Sequence, residues 1–137
     1  MPNWREELTD AVKTKVEREA EEAAKHRQRV AEALTSAEEA LRLGVGALEF
    51  AKEQISSKGQ TINLELEGGG GRLVLGTHTL GIELDRETAI LRVNFLEGKP
   101  REFDFARDRH IAATDVEEYV GRRAVEMVKN AQKAEPW

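Results

Sequence analysis

The chain contains no cysteine. That excludes disulfides and thiolate metal sites, and it fits a reducing compartment. Neither sign of charge dominates. Lys and Arg number 21 against 26 Asp and Glu, a net charge of −5, with 10 basic and 12 acidic side chains in residues 1–58 and 11 and 14 in the remainder. Without a basic footprint, nucleic acid is not an expected partner, and an anionic membrane surface would repel the chain. No apolar run approaches the roughly 18 residues of a membrane span. Met1-Pro2-Asn3-Trp4-Arg5 opens directly into charged helix, without a signal-peptide core. The expectation is a soluble cytoplasmic protein. Nucleophiles are equally sparse. There is no Gly-x-Ser-x-Gly elbow, and the serines Ser36, Ser56 and Ser57 all stand near helix boundaries, where capping explains them.

What is present in quantity is amphipathic helix. Leu8, Val12, Val16, Ala20, Ala23, Val30, Leu34, Ala37, Leu41, Val45, Leu48 and Ile55 recur at helical spacing, which predicts one apolar stripe over most of the first 57 residues. A continuous helix of that length would extend roughly 80 Å. A five-stranded sheet is only about 25 Å wide, so much of the helix has no intramolecular surface to cover. The stripe repeats about every 3.6 residues rather than 3.5, which argues against a long supercoil. Asn3 with Glu6 forms a capping-box start. Thr35 or Ser36 with Glu38 or Glu39 is a second start signal, and Gly44 and Gly46 are weak helix positions, so a break near 35 or 44–46, or a helical hairpin, is an open alternative. The stretch divides into a lightly apolar arm, 1–33, and a richer core helix that begins the domain 34–137. Leu34, Leu41, Leu43, Val45, Leu48, Phe50 and Ile55 supply the core helix.

From Gln60 the period becomes two. Ile62, Leu64 and Leu66 alternate with polar residues, and Leu73 and Leu75, then Leu80, Ile82 and Leu84, then Leu91, Val93 and Phe95, then Phe103 and Phe105 continue the pattern across short connections. Short connections require antiparallel neighbours. A last amphipathic helix follows, started by Thr114 with Glu117 or Asp115 with Glu118. The reading is an α+β fold: a long N-terminal helix, an antiparallel meander of four or five strands and a C-terminal helix, with the helices on one face of the sheet.

The candidate sites are few. Trp4 with Leu8, Val12 and Val16 makes an apolar patch at the tip of the arm, and aromatic residues there are typical interface anchors; the alternative is that the arm folds back and buries Trp4. The outward sheet face collects Glu65, Glu83, Asp85, Arg92 and Asp104, which is either a solvated face balanced by cross-strand pairs such as Arg92–Glu83 or a surface for a basic partner. His78 and His110, with Asp108, are candidates for a metal or acid–base site if the fold brings them together. Glu22 and His26 share a helix face as an ordinary surface pair. The glycine run 68–71 leads into a strand rather than a helix, so it reads as a flexible hairpin loop and not a phosphate cradle. No cofactor motif is present. In size, acidity and its terminal helix the chain resembles type III secretion chaperones, although no helical segment interrupts residues 60–110 where those proteins carry one between strands. The resemblance is one of class and implies no site residues. Together these observations predict a non-enzymatic interaction or assembly protein, chaperone- or adaptor-like. It would self-associate, as a dimer, or bind another protein through its N-terminal helix. A small-ligand, metal or enzymatic site on the sheet is the competing expectation.

Overall fold

A computed structural model describes residues 3–96 and 98–137. Three helices and five strands follow in the order α1 (Trp4–Ala11), α2 (Lys15–Ser56), β1 (Asn63–Glu67), β2 (Gly70–Leu75), β3 (His78–Asp85), β4 (Ile90–Phe95), β5 (Arg101–Asp104) and α3 (Ala113–Ala134). The strands form one sheet in sequence order, antiparallel throughout. This is the expected α+β meander.

The expected interruption of the long helix is displaced. α2 runs unbroken through 35–36 and 44–46. The break lies at Val12–Thr14 instead, where Thr14 accepts a hydrogen bond from the Glu17 amide at 3.2 Å and starts a new helix. Thr35 and Ser36 therefore lie in the helix interior, and Glu39 is engaged by Arg42 rather than by a cap. Packing overrides the capping signal here: Ala37, Ala40 and Leu41 are buried on the next turn and hold the helix in register. Asn3 caps α1 as the sequence suggests, accepting from the Glu6 amide at 3.0 Å. α3 starts at Ala113, so the expected caps Thr114 and Asp115 both lie inside its first turn rather than at the N-cap. The Asp115 carboxylate accepts the Ala112 amide at 2.8 Å, and Ala112 in the N-cap position has no side chain to return the bond.

Alternation on the strands sets the core. Leu73 stands opposite Leu80, Ile82 opposite Val93, Leu84 opposite Leu91, and Leu91 opposite Phe103; all are buried beneath α2 and α3. Val116, Val120, Ala124 and Met127 complete the layer from α3. At one sheet end Phe103 meets Tyr119 edge-on at 5.6 Å, and the Arg123 guanidinium lies over the Tyr119 ring at 5.0 Å. Phe50, counted by sequence as a core residue, is 63% exposed. It sits two positions beyond buried Leu48, outside the Leu41–Leu48–Ile55 stripe.

The two helix glycines of α2 are not equivalent. A methyl at Gly44 would overlap Cδ1 of Ile82 and lie 3.7 Å from both Val116 and Val120, because helix, strand and helix meet at that point. A methyl at Gly46 would meet nothing within 4 Å. Gly46→Ala is expected to stabilise by up to about 1 kcal/mol through helix propensity. Gly44→Ala should destabilise by about 1–2 kcal/mol, because overpacking outweighs the same propensity gain. Thermal melts of the two variants should move in opposite directions.

Candidate functional site

Up to Arg29 the molecule is helix without a core. Neither α1 nor the first 15 residues of α2 contribute a buried side chain; the first is Val30. Trp4 is 65% exposed, Leu8 56%, Val12 67% and Val16 74%. Among the described residues the arm does not bury Trp4 against the domain, and the guanidinium of its neighbour Arg5 lies 5.2 Å from the ring centre. From Trp4 to Arg29 the arm would extend roughly 40 Å if straight.

The junction between α1 and α2 is held by charge. The Arg18 guanidinium donates to the Asp10 carbonyl at 3.0 Å, which also accepts the Lys13 amide at 3.2 Å, and to the Lys13 carbonyl at 3.4 Å, placing a positive charge at the negative dipole end of α1. The Lys13 ammonium bridges Glu21 at 2.7 Å and Asp10 at 3.3 Å. The Glu21 hydrogen bond foremost, and then Asp10, raises the Lys13 pKa above its ordinary value of 10.5, against a smaller opposing effect of desolvation. A raised lysine pKa stabilises below the ordinary value and loses its effect as pH climbs through the raised one, so this latch holds at neutral pH.

The arm's apolar stripe continues the core stripe. Val16, Ala23, Val30, Ala37 and Gly44 follow at two-turn intervals, so the exposed Val16 and Ala23 face the same side of α2 as the residues that cover the sheet. Where the arm leaves the domain, a cavity of about 690 Å³ opens between His26 and Arg29 on the helix and the segment Asp104–His110 after β5. Arg29, Arg107 and Arg109 line it, and none of the three forms an ion pair among the described residues. Thr88 lies on its wall with a buried hydroxyl that finds no partner among the described residues. Asp104 and Asp108 are turned to backbone amides, accepting from Arg107 at 3.1 Å and His110 at 2.9 Å. Three arginines against two aspartates leave this lining one positive charge in excess, with the histidines neutral, in a chain of net charge −5. Sequence reasoning missed this collar because its members lie about 80 positions apart in the chain.

The sheet register separates the two histidines that sequence proximity arguments could have joined. His78 begins β3 opposite Leu75, whereas His110 follows Asp104, which pairs with Ile90 at the other end of the sheet. Eight residues of strand, roughly 25 Å, intervene. His78 is half-buried, its Nδ1 buried without a partner among the described residues, and Asp108 accepts from the His110 amide at 2.9 Å. Among the described residues no group of three or more metal-ligating side chains forms.

The outward sheet face carries the expected acids. Arg72 bonds Glu65 across strands at 2.7 Å, and Arg92 reaches Glu102 at 3.5 Å rather than Glu83, although Glu83 is its direct neighbour in the register. Asp85 and Asp104 each accept a local backbone amide. The result is a shallow depression of about 380 Å³ with Glu65, Glu67 and Glu83 along its rim. Exposed pairs of this kind contribute little, typically below about 1 kcal/mol.

No described helix is long and apolar enough to cross a membrane. The chain matches no protein-family model, no curated protein and no solved structure.

Proposed function

We propose that this is a non-enzymatic interaction and assembly protein of the cytoplasm whose N-terminal arm is its contact element, joining it first to another copy of itself. One observation carries this reading: a helical segment from Trp4 to Arg29 holds four large apolar side chains in solvent and contributes none to the core. Isolated helices are marginal in water and are stabilised chiefly by packing an apolar face. A single exposed apolar residue needs no partner, but Trp4, Leu8 and Val12 at successive four-residue spacings make a contiguous patch ending in a Trp, the residue type most enriched at interface hot spots. The α1–α2 latch supports the same reading, because an ordered junction reduces the entropy lost on docking. Sedimentation equilibrium of the intact chain at tens of micromolar is the test. A dimer or higher species is expected; a monomer across that range would overturn self-association.

A further inference from the structure

Most arginines of the fold are engaged. Six bond a carboxylate, Arg18 bonds backbone carbonyls, and Arg5 and Arg101 lie over aromatic rings. Among the described residues only Arg27, Arg29, Arg107 and Arg109 have no such contact, and three of these four line one cavity, the space of about 690 Å³ where the arm leaves the domain. Glu32, one turn beyond Arg29, accepts from Gln28 at 3.3 Å instead. Asp104 and Asp108 share the lining, each accepting a backbone amide, and the Asp108 amide donates to the Asp104 carbonyl at 2.9 Å. These bonds close residues 104–110 into a turn that fixes the bases of the Arg107 and Arg109 side chains, which lowers the ordering cost of binding. We infer that this cavity binds a small phosphate-bearing molecule, its phosphate held by Arg29, Arg107 and Arg109 with His26 and His110 as further donors.

Three like charges gathered on one cavity repel one another, and the two aspartates offset them only in part. An anion removes that repulsion. Guanidinium is a planar fork that grips oxyanions bidentately and stays charged at any working pH. A carboxylate has two oxygens in one plane and saturates a single fork. A phosphate presents three oxygens around a tetrahedron, so it can take forks arriving from α2 and from the turn after β5 together. The volume falls within the roughly 300–1,000 Å³ of small-molecule sites, which leaves room for an organic group beyond the phosphate. Half-buried Ile90 and Ala106 give that group an apolar wall. The net charge of −5 does not forbid an anion here, because acids beyond about 8–10 Å are largely screened at physiological salt.

Sodium pyrophosphate is the probe, titrated into the full chain at constant ionic strength and followed by calorimetry and by the ring proton resonances of the three histidines. One-to-one binding with a dissociation constant at or below about 1 mM is expected. The rings of His26 and His110 should shift, while that of His78, at the other end of the sheet, stays in place. Arg29→Gln and Arg109→Gln alter exposed side chains, so each should leave the melting temperature unchanged and weaken binding about tenfold or more. Asp108→Asn keeps an oxygen for the His110 amide and removes an opposing charge, so it should tighten binding severalfold. Lys129→Gln takes an equal charge from the last turns of α3 and should change nothing. Binding weaker than about 1 mM overturns the inference. So does a shift of all three rings, an equal loss in Lys129→Gln, or sodium acetate binding as tightly as pyrophosphate, since each means diffuse charge rather than a phosphate site.

Discussion

Removal of residues 1–29 is expected to leave a folded domain that no longer self-associates. Every buried residue of α2 survives the cut: Val30, Ala37, Ala40, Leu41, Gly44, Leu48 and Ile55 all lie at or beyond the new start. What is lost is exposed helix, the Thr14 cap and the Lys13–Arg18 junction, none of which touches the core. The shortened helix begins without a cap, which costs about 1 kcal/mol and lowers the melting temperature by roughly 5 °C. Comparison with the intact chain belongs at concentrations where the intact chain is monomeric, because association itself raises apparent stability. Sedimentation should show a monomer at all concentrations where the intact chain dimerises. The cut position matters. One at residue 33 would also remove buried Val30 and half-buried Ala33, and so would confuse loss of contact with loss of core. Trp4→Ala and Leu8→Ala separate the two further. Each should leave monomer stability within about 0.5 kcal/mol and cost the dimer about 2 kcal/mol or more if the residue anchors it. Unfolding of the truncated chain would place the arm in the core and end the assembly reading.

The fold was legible because its signals are periodic and local. Alternation over Leu80–Leu84 and Leu91–Val93 marked those strands and their inward faces, whereas on the edge strand β1 Leu64 is only half-buried and Leu66 is 56% exposed; the short connections left an antiparallel meander as the simple solution. The helix break was misplaced because capping residues at 35–36 are a local preference of about 1 kcal/mol, overridden where Ala37, Ala40 and Leu41 are packed. At Thr14 nothing is packed, so an equal preference decides the structure. The arm was visible as surplus helix, but its facing was not. That depends on the phase of Val16 and Ala23 relative to buried Val30, which burial fixes and composition does not. The cationic collar, built from residues 26–29 and 107–110, is a product of topology and has no local signature.

The glycines at 68–71 separate the two levels of reading most sharply. As a sequence they are interchangeable members of a flexible loop. In the fold only Gly68 and Gly69 turn, while Gly70 and Gly71 already belong to β2. Gly70 is buried opposite Glu83, and a methyl there would run into the carbonyl oxygen of Ile82, with the Ile82 carbonyl carbon at 2.8 Å and the Glu83 Cα at 2.9 Å. These are backbone atoms, so no rotamer change relieves the contact. β2 would have to move off β3, straining the 2.7 Å hydrogen bond from the Leu84 amide to the Gly69 carbonyl. Gly70→Ala is therefore expected to cost about 3 kcal/mol or more, the upper end of overpacking effects. A domain of this size is stable by only about 5–15 kcal/mol. At Gly68 a methyl meets nothing within 4 Å and the backbone is not left-handed, so Gly68→Ala should change stability by no more than about 0.5 kcal/mol. Urea unfolding measures both: Gly70→Ala should shift the midpoint well down with an unchanged slope. Equal midpoints for the two variants would mean that β2 does not approach β3 at Gly70, and that the run is the loose loop its composition suggests.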